Sequence, residues 1–210
     1  NIRTPLIWDP SAILTYLTSS SLFVLIALIP DFAVLRDRTT GIPHRMYALL
    51  AMGWEGNARQ WKLQIIAGVL LSALILPVFV SVHSIVSWDF GMAVAAKSWH
   101  STIFAPYFVV GAVHSGVSAV AFVLILLRWM YGWQDYIRHE HIDGLGRLLV
   151  VVATGWFYFF VMEVVFGIYG READEIAVRS LQFVQAPFQV WTIIFIVTTY
   201  FIPVTLWLTR

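Results

Sequence analysis

The chain has 210 residues, 60% of them hydrophobic and only 12% charged, with a mean hydropathy of +0.79. That composition leaves too little polar surface to cover a water-soluble globule, so the solvent of this chain is largely lipid. Thirteen basic and twelve acidic residues give a formal net charge of +1, without the Lys and Arg excess that a phosphate-backbone binder needs, which excludes a nucleic-acid partner. With no cysteine, disulfides, iron–sulfur ligation, zinc thiolate sites and haem attachment through C-x-x-C-H are excluded within the chain.

Five apolar stretches are each long enough, at roughly 20 residues, to cross a hydrocarbon core of about 30 Å. They lie at about 11–34, 63–88, 104–130, 146–168 and 187–208. Alternation of the β-barrel kind is absent and backbone groups in lipid need internal partners, so the expected fold is all-α, a polytopic transmembrane helix bundle forming a single domain over 1–210. The chain begins at Asn1 and ends at Arg210 directly after an apolar stretch, and both ends read as cuts inside a longer polypeptide. The first apolar segment lacks a basic leader and a small-residue cleavage site, so it is not a signal peptide.

Ahead of the first span stands Asp9, near the membrane boundary, and at its other end Asp31 follows Pro30, where pairing with Arg36 or Arg38 is expected. A connection rich in Asp, Arg, Thr, Gly and Pro over 37–43 leads to the second span, which holds His83 and Asp89. These two are six residues apart, so they are separated by about 240° around a helix and about 9 Å along it and do not share a face. They read either as contacts to two neighbouring helices or as steps of a hydrogen-bonded chain that also uses Ser84 and Ser87.

The third span carries His114 among Gly111, Ala112, Ser115 and Gly116, small residues that let a backbone or a flat ligand approach closely. Histidines 83 and 114 differ in depth by several ångströms, which disfavours a single haem held between them. The fourth span places Glu163 after Tyr158, Phe159 and Phe160, and a carboxylate flanked by aromatics is expected to exchange protons near neutrality. At the start of the fifth span Gln182, Gln185 and Gln189, spaced three and four apart, are expected to form one polar stripe.

Basic residues orient the bundle. The connection after the first span holds Arg36, Arg38, Arg45, Arg59 and Lys62, and that after the third has Arg128, Arg138 and Arg147. The opposite side has Lys97, Arg171 and Arg179, so the positive-inside rule puts Asn1, Trp99 and Glu172 outside. Ten Trp and eight Tyr, many near span ends, suit interfacial belts.

Several motifs together carry a resemblance. They are Asn1-Ile2-Arg3-Thr4-Pro5-Leu6-Ile7-Trp8-Asp9, Leu28-Ile29-Pro30-Asp31 with Leu35-Arg36-Asp37-Arg38, and Ala51-Met52-Gly53-Trp54-Glu55-Gly56 leading to Arg59-Gln60-Trp61. Further on come Ser81-Val82-His83-Ser84-Ile85-Val86-Ser87-Trp88-Asp89-Phe90 and Trp99-His100-Ser101-Thr102-Ile103-Phe104-Ala105-Pro106-Tyr107-Phe108. In these the chain resembles the NrfD/polysulfide-reductase-type membrane subunit family, most closely the quinol-binding ActC-type subunits of bacterial alternative complex III. It departs from them at Trp88, where Phe is frequent, at Ala105, where a second Pro is frequent, and at His114, where a bulky apolar residue is usual.

The resemblance implies a ten-helix protein of about double this length, of which this chain is the middle part. It implies that Asp9, with Arg3 in the same stretch, holds a quinol headgroup (menaquinone or ubiquinone) near the periplasmic face, its histidine partner lying on an upstream helix. It also implies that His83 and Asp89 belong to a buried proton path to which Glu163 and Tyr158 contribute. The chain itself ligates no haem or iron–sulfur cluster. Its implied partners are the lipid bilayer, other membrane subunits including a homologous NrfD-type subunit, and periplasmic iron–sulfur and multihaem cytochrome c subunits. The implied location is the bacterial inner membrane, with the start of the chain on the periplasmic side. Two other readings stay open: a secondary transporter whose buried Asp, His and Glu carry protons against a solute, and a purely structural anchor of the same complex.

Overall fold

The computed structural model describes Thr4, residues 7–94, Trp99 and residues 101–209. Among the described residues there is no strand. The helices are α1 (Trp8–Arg38), α2 (Gly41–Leu50), α3 (Ala58–Trp88), α4 (Phe104–Tyr131), α5 (His139–Gly170), α6 (Ala173–Phe183), α7 (Phe188–Ile196) and α8 (Ile202–Leu208). A π-helical segment, Asp89–Ala93, prolongs α3, and another, Val197–Phe201, joins α7 to α8.

Among the described residues, five helices are long and apolar enough to cross a membrane: Trp8–Arg38, Ala58–Met92, Phe104–Tyr131, His139–Gly170 and Phe188–Leu208. Large apolar side chains such as Leu70, Leu74, Phe122, Trp129 and Val151 project outward from them. Such a surface is untenable in water and ordinary in lipid. The helices run past the apolar stretches that announce them. The fourth starts at His139 rather than near 146, because the Arg138 N–H donates to His141 Nδ1 at 3.2 Å and Glu140 sits in the first turn, favoured there by the helix dipole. Hydropathy marks the part of a helix that lies in lipid, not the part that is hydrogen-bonded.

The connections hold more structure than their polarity suggests. Residues 39–62 contain α2, and residues 170–187 contain α6. Gln182 accordingly lies on α6, Gln185 in the following turn and Gln189 on α7, which corrects the expected single stripe; three residues on three elements share no helical face.

The chain divides into two compact units, Asn1–Val82 and His83–Arg210. In the first, α1 and α3 run antiparallel, with the Tyr16 and Phe79 rings 6.3 Å apart. Hydroxyls of Ser11, Thr15 and Ser19 each donate to the carbonyl four residues earlier, at 3.1, 2.8 and 2.7 Å, which satisfies them within their own helix. Pro30 deprives the Ile26 carbonyl of its helical donor, and the Gln64 side-chain amide of α3 donates to that carbonyl instead.

A small core of Ala33, Ala51 and Trp54, flanked by Ile29 and Phe32, closes the α1–α2 end. Around it Gln60 Oε1 accepts the N–H groups of Glu55 and Gly56, both at 2.9 Å, and Trp54 meets Trp61 edge-on at 5.1 Å. Gly53 and Gly56 turn the chain there with φ of +73° and +76°, a region costly for other residues. Arg36 pairs with Asp37 at 2.8 Å and donates to the Trp54 carbonyl, whereas Asp31 is exposed; the expected Asp31 pairing is therefore corrected, because Arg36 is engaged by the α2–α3 connection.

In the second unit α4 packs along α5, and α5 also meets α6 and α8. Trp156, 5% exposed, is the hub of this packing, with Tyr107, Phe160 and Phe195 at ring separations of 5.8, 5.4 and 5.3 Å. Phe157 stacks on Tyr200 of the second π segment at 4.1 Å. Such aromatic pairs contribute about 0.5–1.5 kcal/mol each beyond their area.

Candidate functional site

In the first unit Asp9 lies in the opening turn of α1, where the helix dipole favours a carboxylate. Its Oδ1 is buried, and no hydrogen-bond partner among the described residues reaches it. A buried acceptor without a donor is costly, so this oxygen suits a group that brings its own O–H or N–H. Arg3, expected beside it, lies outside the described residues.

In the second unit His83 and Asp89 occupy the end of α3 and the first position of the π segment. The π segment closes when the Asp89 carbonyl accepts the Val94 N–H at 2.8 Å. Gly91 makes the bend feasible, since a Cβ there would collide with the Trp99 carbonyl. Between the imidazole and the carboxylate positions the Ser87 hydroxyl, fully buried, donates to the Ser84 carbonyl at 2.9 Å. Ser87 is thus bonded within its own helix, as hydroxyls in lipid commonly are. The His83 ring sits 6.1 Å from Phe108 and lines a cavity of about 400 Å³ together with Tyr107, Gly111, Ser115 and Trp156.

Glu163 projects from the far half of α5 into a buried polar cluster. Its Oε2 accepts the Ser101 hydroxyl at 2.7 Å, and its Oε1 lies 3.5 Å from Arg179 Nη2. The same Nη2 is 3.7 Å from Glu175 Oε2, and Arg179 Nη1 donates to Gln182 Oε1 at 2.9 Å. Gly167, one turn along α5, leaves space for these groups: a Cβ there would stand 3.3 Å from Glu175 Oε2. Tyr158 points elsewhere; it is 55% exposed, with its ring against Phe159. Five positions separate it from Glu163, which turns the two side chains about 140° apart.

His114 contacts different elements from His83. Its ring lies 6.4 Å from Trp156, and its Nε2 is buried with no hydrogen-bond partner among the described residues. The flat group that approaches the small residues around His114 is the Trp156 indole, 3.5 Å from where a Gly111 Cβ would stand.

Sequence reasoning singles out Glu163 but counts Arg179 only as a loop charge and passes over Glu175, Ser101 and Gln182 as partners. The available signal is the i, i+4 spacing of Glu175 and Arg179, which places both on one face of any helix formed there. No family model matches the chain, and no curated protein matches it.

Proposed function

We propose that this chain is a quinol-binding integral subunit of a membrane electron-transfer complex, a quinol:electron-acceptor oxidoreductase of the NrfD/polysulfide-reductase type, in a bacterial inner membrane. The observation that carries the reading is the buried Oδ1 of Asp9, which no donor among the described residues reaches, in a helix where the Ser11, Thr15 and Ser19 hydroxyls are satisfied by backbone carbonyls one turn earlier. A quinol hydroxyl is a donor of the kind this oxygen lacks.

In this reading Asp9 accepts a hydrogen bond from one quinol hydroxyl and then takes its proton as electrons leave the ring, a positioned general-base role. Arg3, in the same short stretch of sequence, steadies the developing charge. The electrons pass to iron–sulfur and multihaem cytochrome c subunits on the periplasmic side, and the quinol protons are released there. In the second unit His83, Asp89 and Glu163 serve proton movement, with the aromatic-lined cavity beside His83 as its roomiest stretch.

The second reading is a proton-coupled transporter, and the observation favouring it is the interrupted last span, where α7 gives way to a π segment before α8. Discontinuous helices with backbone freed for side-chain contacts are typical of transporter sites.

The test is quinol:acceptor oxidoreductase activity of the parent complex carrying Asp9→Asn, with assembly verified. The quinol reading expects turnover to fall by about 10²-fold or more, the scale of a lost general base. Unchanged kinetics remove Asp9 from the site and leave the transporter reading ahead.

A further inference from the structure

The connection between the first two spans contains α2, and this helix has two distinct faces. His44, Tyr47 and Ala51 face α1: the His44 Nδ1 meets the Arg36 carbonyl at 2.8 Å, the Tyr47 ring stacks on Phe32 at 6.3 Å, and Ala51 packs with Ala33. The order of these contacts shows that α2 runs back along the closing turns of α1, to the level where the apolar stretch of that span ends. Ile42, Met46 and Leu49, spaced four and three apart, stand on the opposite face, about 170° away around the helix. They are 75%, 60% and 79% exposed, and Met52, just past the helix, is exposed as well. A ridge of large apolar side chains is costly to leave in water.

The charges around the ridge indicate what it meets. Residues 38–62 hold four basic side chains, Arg38, Arg45, Arg59 and Lys62, against one acidic, Glu55. All four are exposed, and none forms an ion pair with a described residue. Arg36 differs, being held by Asp37 and by the Trp54 carbonyl. Arg45 lies on α2 at the flank of the ridge, Arg38 closes α1, and Arg59 and Lys62 stand in the opening turns of α3. Trp61, beside Lys62 and 48% exposed, is a residue of the kind that settles at headgroup level. An apolar ridge rimmed by free cations, placed where one span leaves the hydrocarbon and the next enters it, is complementary to anionic headgroups over acyl chains. Lys and Arg stems lie along the apolar layer while their charged ends reach the phosphates.

We propose that α2 and its basic rim form an attachment site for anionic phospholipid. Ile42, Met46 and Leu49 enter the acyl boundary of the leaflet on that side, and Arg38, Arg45, Arg59 and Lys62 contact lipid phosphates. Because α2 is packed on α1, the headgroup composition of that leaflet bears on how the end of the first span is held.

Site-directed spin labelling tests this in the intact protein, since this chain has no cysteine of its own to compete for the label. A nitroxide on Leu49→Cys is placed in nanodiscs of phosphatidylcholine alone or of phosphatidylcholine with phosphatidylglycerol. Its relaxation by oxygen, which partitions into acyl chains, is compared with relaxation by a water-soluble nickel chelate. In the anionic nanodiscs oxygen should act strongly and nickel weakly, and the ratio of the two should fall several-fold in the neutral ones. Each Lys or Arg near an anionic surface strengthens attachment by roughly fivefold, so Arg45→Gln combined with Arg59→Gln should remove most of the difference between the two lipids. Ile42→Cys gives the same reading if Leu49→Cys fails to assemble. Strong nickel relaxation in both lipids, which places the ridge in water, overturns the proposal. Weak relaxation by both reagents, which places it under protein, does so too, as does an equal oxygen response in both lipids, which denies a headgroup preference. Asp9→Asn should leave every one of these readings unchanged, because the attachment involves no quinol.

Discussion

The Gln64 side-chain amide donates to the Ile26 carbonyl, the backbone acceptor in α1 that Pro30 leaves without its helical donor. A polar side chain in the second apolar span is thereby explained by a proline in the first. In lipid no water is at hand to satisfy such a carbonyl, so a neighbouring helix must.

Gln64→Leu should lower stability by about 1 kcal/mol, the scale of a buried acceptor left unsatisfied in a membrane protein. Pro30→Ala in the same background should restore most of it, since alanine at that position brings back the N–H that the Ile26 carbonyl needs. Unfolding in mixed detergent micelles measures both. Equal losses in the single and double variants would mean that Gln64 acts by packing alone.

A second polar side chain within a span, His114, has its Nε2 buried without a hydrogen-bond partner among the described residues. His114→Phe, which removes that unsatisfied nitrogen and keeps a ring against Trp156, should change stability by less than about 1 kcal/mol in the same unfolding assay. A loss well above that would mean that the imidazole nitrogen is engaged in the folded protein.

Gly91 and Gly116 make a matched pair for a steric test. A Cβ on Gly91 would collide with the Trp99 carbonyl, whereas a Cβ on Gly116 meets nothing within 4 Å. Gly91→Ala should therefore cost about 1–3 kcal/mol, as overpacking against backbone does, and displace Asp89 along with the π segment. Gly116→Ala, in mid-helix, should stabilise by about 0.5–1 kcal/mol. Thermal unfolding of the two variants side by side checks the contrast, which vanishes if the π segment can relax.

Much of the architecture was legible from local chemistry. Hydropathy located the five spans because a residue's preference for lipid is a property of its own side chain. The candidate chemistry was half legible. Asp9, His83, Asp89 and Glu163 stood out because ionisable groups at membrane depth are costly and therefore rare. What they touch was not, because it depends on residues far away in the chain: Ser101 reaches Glu163 across 62 positions, and Gln64 reaches Ile26 across 38.

The polar connections look like loops in sequence because low hydropathy hides a helix that lies outside the lipid. Only the folded chain makes α6 from residues 173–183 and turns Glu175 and Arg179 inward, and only packing of α6 on α5 makes Glu163 one member of a buried triad. Composition by itself determined that this protein lives in a membrane and crosses it as helices, since transfer into lipid is a sum over residues. Tertiary structure decided which charges are paired, since pairing is a matter of distances that no single segment contains.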